Sequence, residues 1–356
     1  MKILHIINDT ILGGAQKVCI DLANKALLDG NEVAVAAMSD GYLWTQLLPE
    51  VKQFQLKFME KKINKKDLKV LGELKKIRKE YKPDIIHLHT TKPGVLGRWV
   101  FRKEYRHIVY TVHGFDTIRT GHSKFLPVEK FFQKYSGATV PVSKYDEKNI
   151  IAEKITKNIN TIYNGIDENL IKPASDLPLQ IKEKKVVLTI ARIAPPKNLK
   201  LFVNVAKHFE NKDTAFIWIG GAVNKSVKEI AEEYKIPSNV YLAGDQMNAA
   251  SYINLCDVFV LFSDFEGLPM SIIEAMSQKK AVVASDVGGI SELVDDTNGK
   301  LIKTEDEAVA ALEELLNNDE LLKKKNTASY QKYEAAFTMD KMWNSYKKLY
   351  MSLLEK

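Results

Sequence analysis

The stretch Val258-Phe259-Val260-Leu261-Phe262-Ser263-Asp264-Phe265-Glu266-Gly267-Leu268-Pro269-Met270-Ser271-Ile272-Ile273-Glu274-Ala275-Met276 joins a β-rich apolar run to a helix through a turn. The apolar run ends at Ser263, Gly267 and Pro269 supply the turn and the helix start, and Glu274 falls within the first two helical turns. Strands of the same kind are read at 3–7, 33–36, 85–89, 107–112 and 137–142. Helical spacing covers 14–30 and 68–81, the latter on Leu68, Leu71, Leu74, Ile77 and Tyr81. A Pro-rich polar stretch, 171–178, interrupts the rhythm, which restarts with strands at 186–190, 215–219, 240–242, 258–262 and 281–284. From Asp306 onward the pattern is helical and closes with a stripe of Trp343, Tyr346, Leu349, Tyr350 and Leu353. Strands alternating with helices predict parallel sheets, so the expectation is an α/β chain of two doubly wound, Rossmann-like domains, 1–170 and 171–336.

A chain of 356 residues suits two cores better than one. Apolar content of 45% and charged content of 27% exclude collagen-like and low-complexity classes. Cys19 and Cys256 lie far apart and predict reduced thiols, with neither a disulfide framework nor a zinc site. The first residues carry no signal-peptide pattern and no long apolar run occurs, so a cytoplasmic chain that does not span a membrane is expected. The net charge of +7 is concentrated: residues 52–106 hold 17 Lys/Arg against 6 Asp/Glu, a surplus of 11 that leaves −4 elsewhere. Such a patch attracts phosphates on nucleic acid, anionic lipid or a phosphorylated substrate; Lys65 to Lys82 reads equally as a solvated helix face.

Ligands of open α/β sheets sit beyond the carboxyl ends of the strands, and two such sheets in series point to a cleft between domains. Glu266 on its loop and Glu274 on its helix can hold two ends of an extended polyhydroxylated ligand. The amides of Gly267, Leu268 and Met270, at a helix N-terminus, favour an anion. Arg192 and Lys197 follow the first strand of the second half, and a guanidinium fork with an ammonium point charge can neutralise a diphosphate. Read singly, these are ordinary surface carboxylates and solvated loop cations. Gly13-Gly14 and Gly288-Gly289 follow strands and admit close backbone approach. Neither G-x-G-x-x-G nor G-x-x-x-x-G-K-[ST] occurs, which removes the main support for nicotinamide and P-loop chemistry. His113 ends a strand where it can donate or accept near neutral pH. His87 and His89 alternate on one strand face, a metal-like spacing with no third ligand clustered in sequence, so no metal is expected; His5, His107, His122 and His208 read as ordinary structural histidines.

Together these residues resemble the retaining GT-B glycosyltransferases of family 4, over almost the whole chain. The family's Glu, seven residues, Glu motif is matched by Glu266 and Glu274 in a Glu-Gly-Leu-Pro setting. Its Arg and Lys resemble Arg192 and Lys197, although Ala194-Pro195-Pro196-Lys197 keeps the lysine and lacks the usual glycine. Asn164-Gly165-Ile166-Asp167, Gly13-Gly14-Ala15-Gln16, and Ser285-Asp286-Val287-Gly288-Gly289 with Glu292 also fit. The resemblance implies two domains facing across a cleft, with 337–356 crossing back to the first. It implies that Glu274 binds ribose hydroxyls, that Arg192, Lys197 and the Gly14 backbone hold a diphosphate, and that Leu242 meets the base through its backbone. Glu266, with the Gly267 and Leu268 amides, would grip the transferred sugar, and His113 would sit at its far edge. No side chain is placed as a nucleophile, in keeping with a front-face route in which the departing phosphate helps to deprotonate the acceptor hydroxyl. No Asp-x-Asp pair occurs, so no metal or other cofactor is expected. The implied partners are a nucleotide-sugar donor, a UDP-sugar by the Gly-Gly-Ala-Gln form, and a glycan or lipid-linked acceptor at an anionic inner-membrane surface, with no nucleic acid. A sugar-nucleotide epimerase on the same architecture is one rival. A non-catalytic basic binder is another, but it leaves Glu266, Glu274, Arg192 and Lys197 without a role.

Overall fold

Two six-stranded parallel sheets share one winding order in the computed structural model, which describes residues 1–355 apart from 12, 61–62, 177–180, 182–184 and 223–224. The first contains β1 (Lys2–Ile6), β2 (Glu32–Met38), β3 (Lys52–Leu56), β4 (Ile85–His89), β5 (Ile108–Val112) and β6 (Ala138–Pro141), in the order β3-β2-β1-β4-β5-β6. The second contains β7 (Lys185–Ile190), β8 (Thr214–Ile219), β9 (Val240–Gly244), β10 (Val258–Leu261), β11 (Ala281–Ser285) and β12 (Gly299–Ile302), in the order β12-β11-β10-β7-β8-β9. Read from its other edge, the second order repeats the first. In each, the chain starts in the middle, winds outward on one side and returns to wind outward on the other. The switch points lie between β1 and β4 and between β7 and β10, where this class of sheet binds ligands.

The central strands are apolar because helices cover both faces; every residue of β4, β5 and β11 is buried. The sequence reading missed β3 and β12, both at sheet edges. An edge strand needs only part of its surface apolar, and Lys52, Gln53, Gln55 and Lys300 are exposed, so neither strand shows an unbroken apolar run. The helix Asp67–Tyr81 buries Val70, Leu74, Ile77 and Tyr81. Leu68, expected on that stripe, is exposed because it lies on the outward side of the first turn.

The compact units are Met1–Gly165 with Met339–Lys356, and Ile166–Thr338. The crossing therefore comes at Gly165–Ile166, ahead of the stretch 171–178 expected to link the domains. Ile166 is tied into the second unit: its amide donates to the Phe337 carbonyl (3.1 Å), and Tyr333 Oη donates to its carbonyl (3.0 Å). Ala174 likewise donates to the Ser251 carbonyl at 2.9 Å; Leu177 and Pro178 lie outside the described residues. The last helix, Met339–Leu354, belongs to the first unit and buries Met342, Trp343, Tyr346, Tyr350 and Leu353, with Leu349 half-buried.

Candidate active site

In the second unit, the loops after β7, β10 and β11 meet at Glu266. The first two are stitched together: the Asn198 amide donates to the Phe262 carbonyl and the Asp264 amide to the Pro196 carbonyl, both at 2.9 Å. Lys197 is thereby set opposite Ser263, and its ammonium and the Ser263 hydroxyl (2.7 Å) both donate to Glu266 Oε1. The Lys197 and Glu266 side chains keep 19% and 12% exposure, so the pair is shielded from most solvent but open at one edge. That setting strengthens charge interactions relative to a surface pair.

The third loop depends on a glycine. Gly288 has φ +59°, and a Cβ there would run into the Glu266 carbonyl, so an L side chain is opposed by both backbone conformation and space. Gly289 then donates to the Gly267 carbonyl at 3.0 Å. Ser285, at the end of β11, accepts from the Ser263 amide at 3.1 Å. Pro269 caps the helix Met270–Ser277; Leu268 and Met270 are buried, Gly267 half-buried, and Glu274 sits half-buried in the second turn.

Two expected residues lie apart from this convergence. Arg192 points to solvent and makes no ion pair among the described residues, so it does not share the grip of Lys197 on Glu266. Leu242 is half-buried within edge strand β9, paired with Trp218, rather than on the loops meeting at Glu266. Ser263 and Ser285 are not among the expected site residues; the signals in sequence are a small hydroxyl residue closing each apolar run and, for Ser285, its place in the Ser285-Asp286-Val287-Gly288-Gly289 segment.

In the first unit, Gly13 caps the helix Gly14–Leu28 with φ −160° and ψ 174°, extended backbone open to any residue. Gly13 needs no left-handed backbone here, so the close backbone approach expected of this turn rests on the missing side chain alone. Gly14 is exposed at the first helical position. The histidines correct the sequence reading more strongly. Parallel register sets His5 beside His87, so the missing third member of the His87–His89 group comes from β1. His5 Nδ1 lies 3.1 Å from His89 Nε2, and His89 Nδ1 lies 3.2 Å from His113 Nε2. His87 is held by hydroxyls, with Nδ1 2.7 Å from Tyr350 Oη and Nε2 2.7 Å from Thr111 Oγ1, which contacts Tyr346 Oη at 2.9 Å. Burial pushes His5 down to about 3 and His113 down to about 4, and holds His87 and His89 well below the usual histidine range. All four are neutral at pH 7. His5, His87 and His89 are close enough to consider a metal. However, both His87 nitrogens are engaged by hydroxyls, and its ring stacks on that of His89 at 4.1 Å rather than converging with it on a point.

The family description "Glycosyltransferase Family 4" matches residues 12–170, and "Glycosyl transferases group 1" matches residues 174–332. The chain belongs to the family 4 glycosyltransferases. The UDP-Gal:alpha-D-GlcNAc-diphosphoundecaprenol alpha-1,3-galactosyltransferase of Escherichia coli is 29% identical over 328 residues, covering 86% of this chain and 85% of its own. The O-antigen biosynthesis glycosyltransferase WbnH of Escherichia coli is 27% identical over 327 residues, covering 88% and 90%. The crystal structure of Anabaena HepE in complex with UDP-glucose superposes with a TM-score of 0.86 at 21% identity, covering 100% of both chains. The fold of this glycosyltransferase is GT-B, and the epimerase and non-catalytic readings give way to a transferase. Among the described residues no helix is long and apolar enough to cross a membrane.

Proposed function

We propose that this glycosyltransferase moves a sugar from a UDP-sugar to a glycan or lipid-linked glycan, with retention at the anomeric carbon and without a metal or other cofactor. The convergence of Lys197 and Ser263 on Glu266 at the β7/β10 switch point carries the reading. Lys197 has three donors, and with one on Glu266 the others are available to the diphosphate. Glu266 Oε1 is occupied, which leaves Oε2 for sugar hydroxyls. Exposed Arg192 adds its fork to the leaving phosphate, where charge develops in the transition state. Glu274 takes the ribose hydroxyls, Leu242 lies toward the base, the Gly13–Gly14 turn meets the diphosphate, and neutral His113 contacts the sugar edge. UDP-glucose bound to HepE, and the UDP-Gal donor and diphosphoundecaprenol-linked acceptor of the E. coli relative, support a UDP-sugar donor and a lipid-linked acceptor.

The protein works at the cytoplasmic membrane face, docked by the basic first unit. Not all of its surplus is available: Arg98 is buried against Glu129 (2.6 Å) and Lys92 against Asp67 (2.6 Å). Lys61 and Lys62, within the surplus, lie outside the described residues. An aromatic-cation surface adjoins the patch: Trp99 is 42% and Phe131 50% exposed, with Arg102 over Trp99 and Lys134 over Phe131. Such amphipathic rings with cations suit a headgroup layer.

The test is a donor panel with acceptor, read by nucleotide release and by the anomeric configuration of the product. UDP release in excess chelator with a retained linkage is expected. Release from no UDP-sugar, an inverted product, or activity that returns only with a divalent ion would overturn the corresponding part.

A further inference from the structure

We infer that His5 and His89 are positioning residues that set the tautomer of His113, so that His113 presents an Nδ1–H donor to the sugar; this rests on the proposed role of His113. Each of the three rings is neutral at pH 7 and carries one ring proton. In each of the two N···N contacts, one nitrogen is protonated and the other bare. Fixing one end therefore fixes the series. His5 Nε2 is buried with no hydrogen-bond partner among the described residues. A buried N–H without an acceptor is rarer and costlier than an unused lone pair, so His5 Nε2 is bare and the His5 proton sits on Nδ1. His5 Nδ1–H then donates to His89 Nε2, His89 Nδ1–H donates to His113 Nε2, and the His113 proton is left on Nδ1. His87 is outside the series, but its stacked ring and two hydroxyl partners hold the plane of His89. The polarity begins in the buried middle of the first sheet and emerges at the end of β5, so β1 chemistry is read out at a loop on β5.

The experiment uses the whole chain with ¹⁵N-labelled histidine. Long-range ¹H–¹⁵N spectra at neutral pH, assigned by single His→Asn variants, should show Nδ1–H and bare Nε2 for His5, His89 and His113. Saturation with a turned-over UDP-sugar should shift the His113 Nδ1–H signal. His89→Leu should release His113 into a tautomer mixture and lower kcat/KM about tenfold, as expected for one lost hydrogen bond. His89→Asn, which keeps an amide donor near Nδ1, should restore both. An Nε2–H tautomer at His113 in the parent protein overturns the inference. So does stoichiometric Zn²⁺ binding that shifts all three rings, or an Nδ1–H signal indifferent to a sugar nucleotide the enzyme turns over. Turnover of no nucleotide sugar is a failure of the proposed function instead, and leaves the ligand-free spectra as the measure of the tautomer.

Discussion

The two units wind their sheets in the same order, yet fill the same topological position with opposite chemistry. At the β1/β4 switch point the first unit places histidines inside the strands, buried and neutral. At the β7/β10 switch point the second unit places Lys197 and Glu266 on the loops beyond the strands, partly exposed and charged. Burial accounts for the difference. A charge within a covered parallel sheet has no water to solvate it and loses its proton balance instead, whereas a loop at the sheet's end keeps one edge open and can hold an ion pair. One winding order therefore carries a buried, neutral histidine cluster in one unit and a partly exposed lysine–glutamate pair in the other.

The largest test removes the charged side. Lys197→Ala and Glu266→Ala should each lower kcat about 10²–10³-fold, the range for losing a group aimed at transition-state charge. Steady-state kinetics over donor concentration check this, and near-parental kcat in both variants would remove the clamp. The two glycine turns extend the comparison. Gly288→Ala forces an L side chain to φ +59° against the Glu266 carbonyl and should cost about 2–4 kcal/mol. In Gly13→Ala the new Cβ meets only the end of Gln16, 3.0 Å away, on extended backbone, and should cost under about 1 kcal/mol. Denaturant unfolding measures both, and equal losses would cancel the distinction between the turns.

The neutral side is tested by acid. His5 and His113 are depressed in the folded chain to about 3 and about 4 from an ordinary 6.5, so below 6.5 the unfolded chain binds protons that the folded one does not. The stability these histidines contribute to the first unit is complete above pH 6.5 and declines as pH falls from 6.5 toward 3. In the second unit, burial of Asp295 is outweighed by Lys332 and Thr297, which hold its carboxyl at about 2, so that loss begins only below its ordinary 3.8. Trp218 is the second unit's tryptophan, and Trp44, Trp99 and Trp343 belong to the first. Between pH 7 and 5, Tm should drop in fluorescence dominated by the first unit and hold in a variant that keeps only Trp218. A parallel drop in both would show that the histidines do not set it. The smallest effect concerns the cations beside the exposed aromatics that adjoin the patch: Arg102→Glu with Lys134→Glu should weaken sedimentation with anionic vesicles by about 1 kcal/mol per cation replaced, with donor hydrolysis unchanged. Equal binding to neutral and anionic vesicles would leave the patch as a solvated face.

Local pattern alone determined the class of fold and which loops follow the strand ends. The strand-turn-helix junction at 258–276 and its repeats are short-range periodicities, so ten of the twelve strands among the described residues, the placement of Lys197 and Glu266 on loops beyond strand ends, and that of Glu274 on the helix that follows, could be read without tertiary information. What the sequence left open depends on which segments become neighbours. The edge strands β3 and β12 were hidden because an edge needs little apolar surface, and the crossing at Gly165–Ile166 is set by bonds to Phe337 and Tyr333 far along the chain. Lys197 reaches Glu266 across 69 positions, and His5 reaches His89 across 84. Parallel strands are joined through crossovers, so their register is set by the packing of helices onto both faces rather than by any local run of residues. That register makes His5 the third histidine of a group that seemed to have only two.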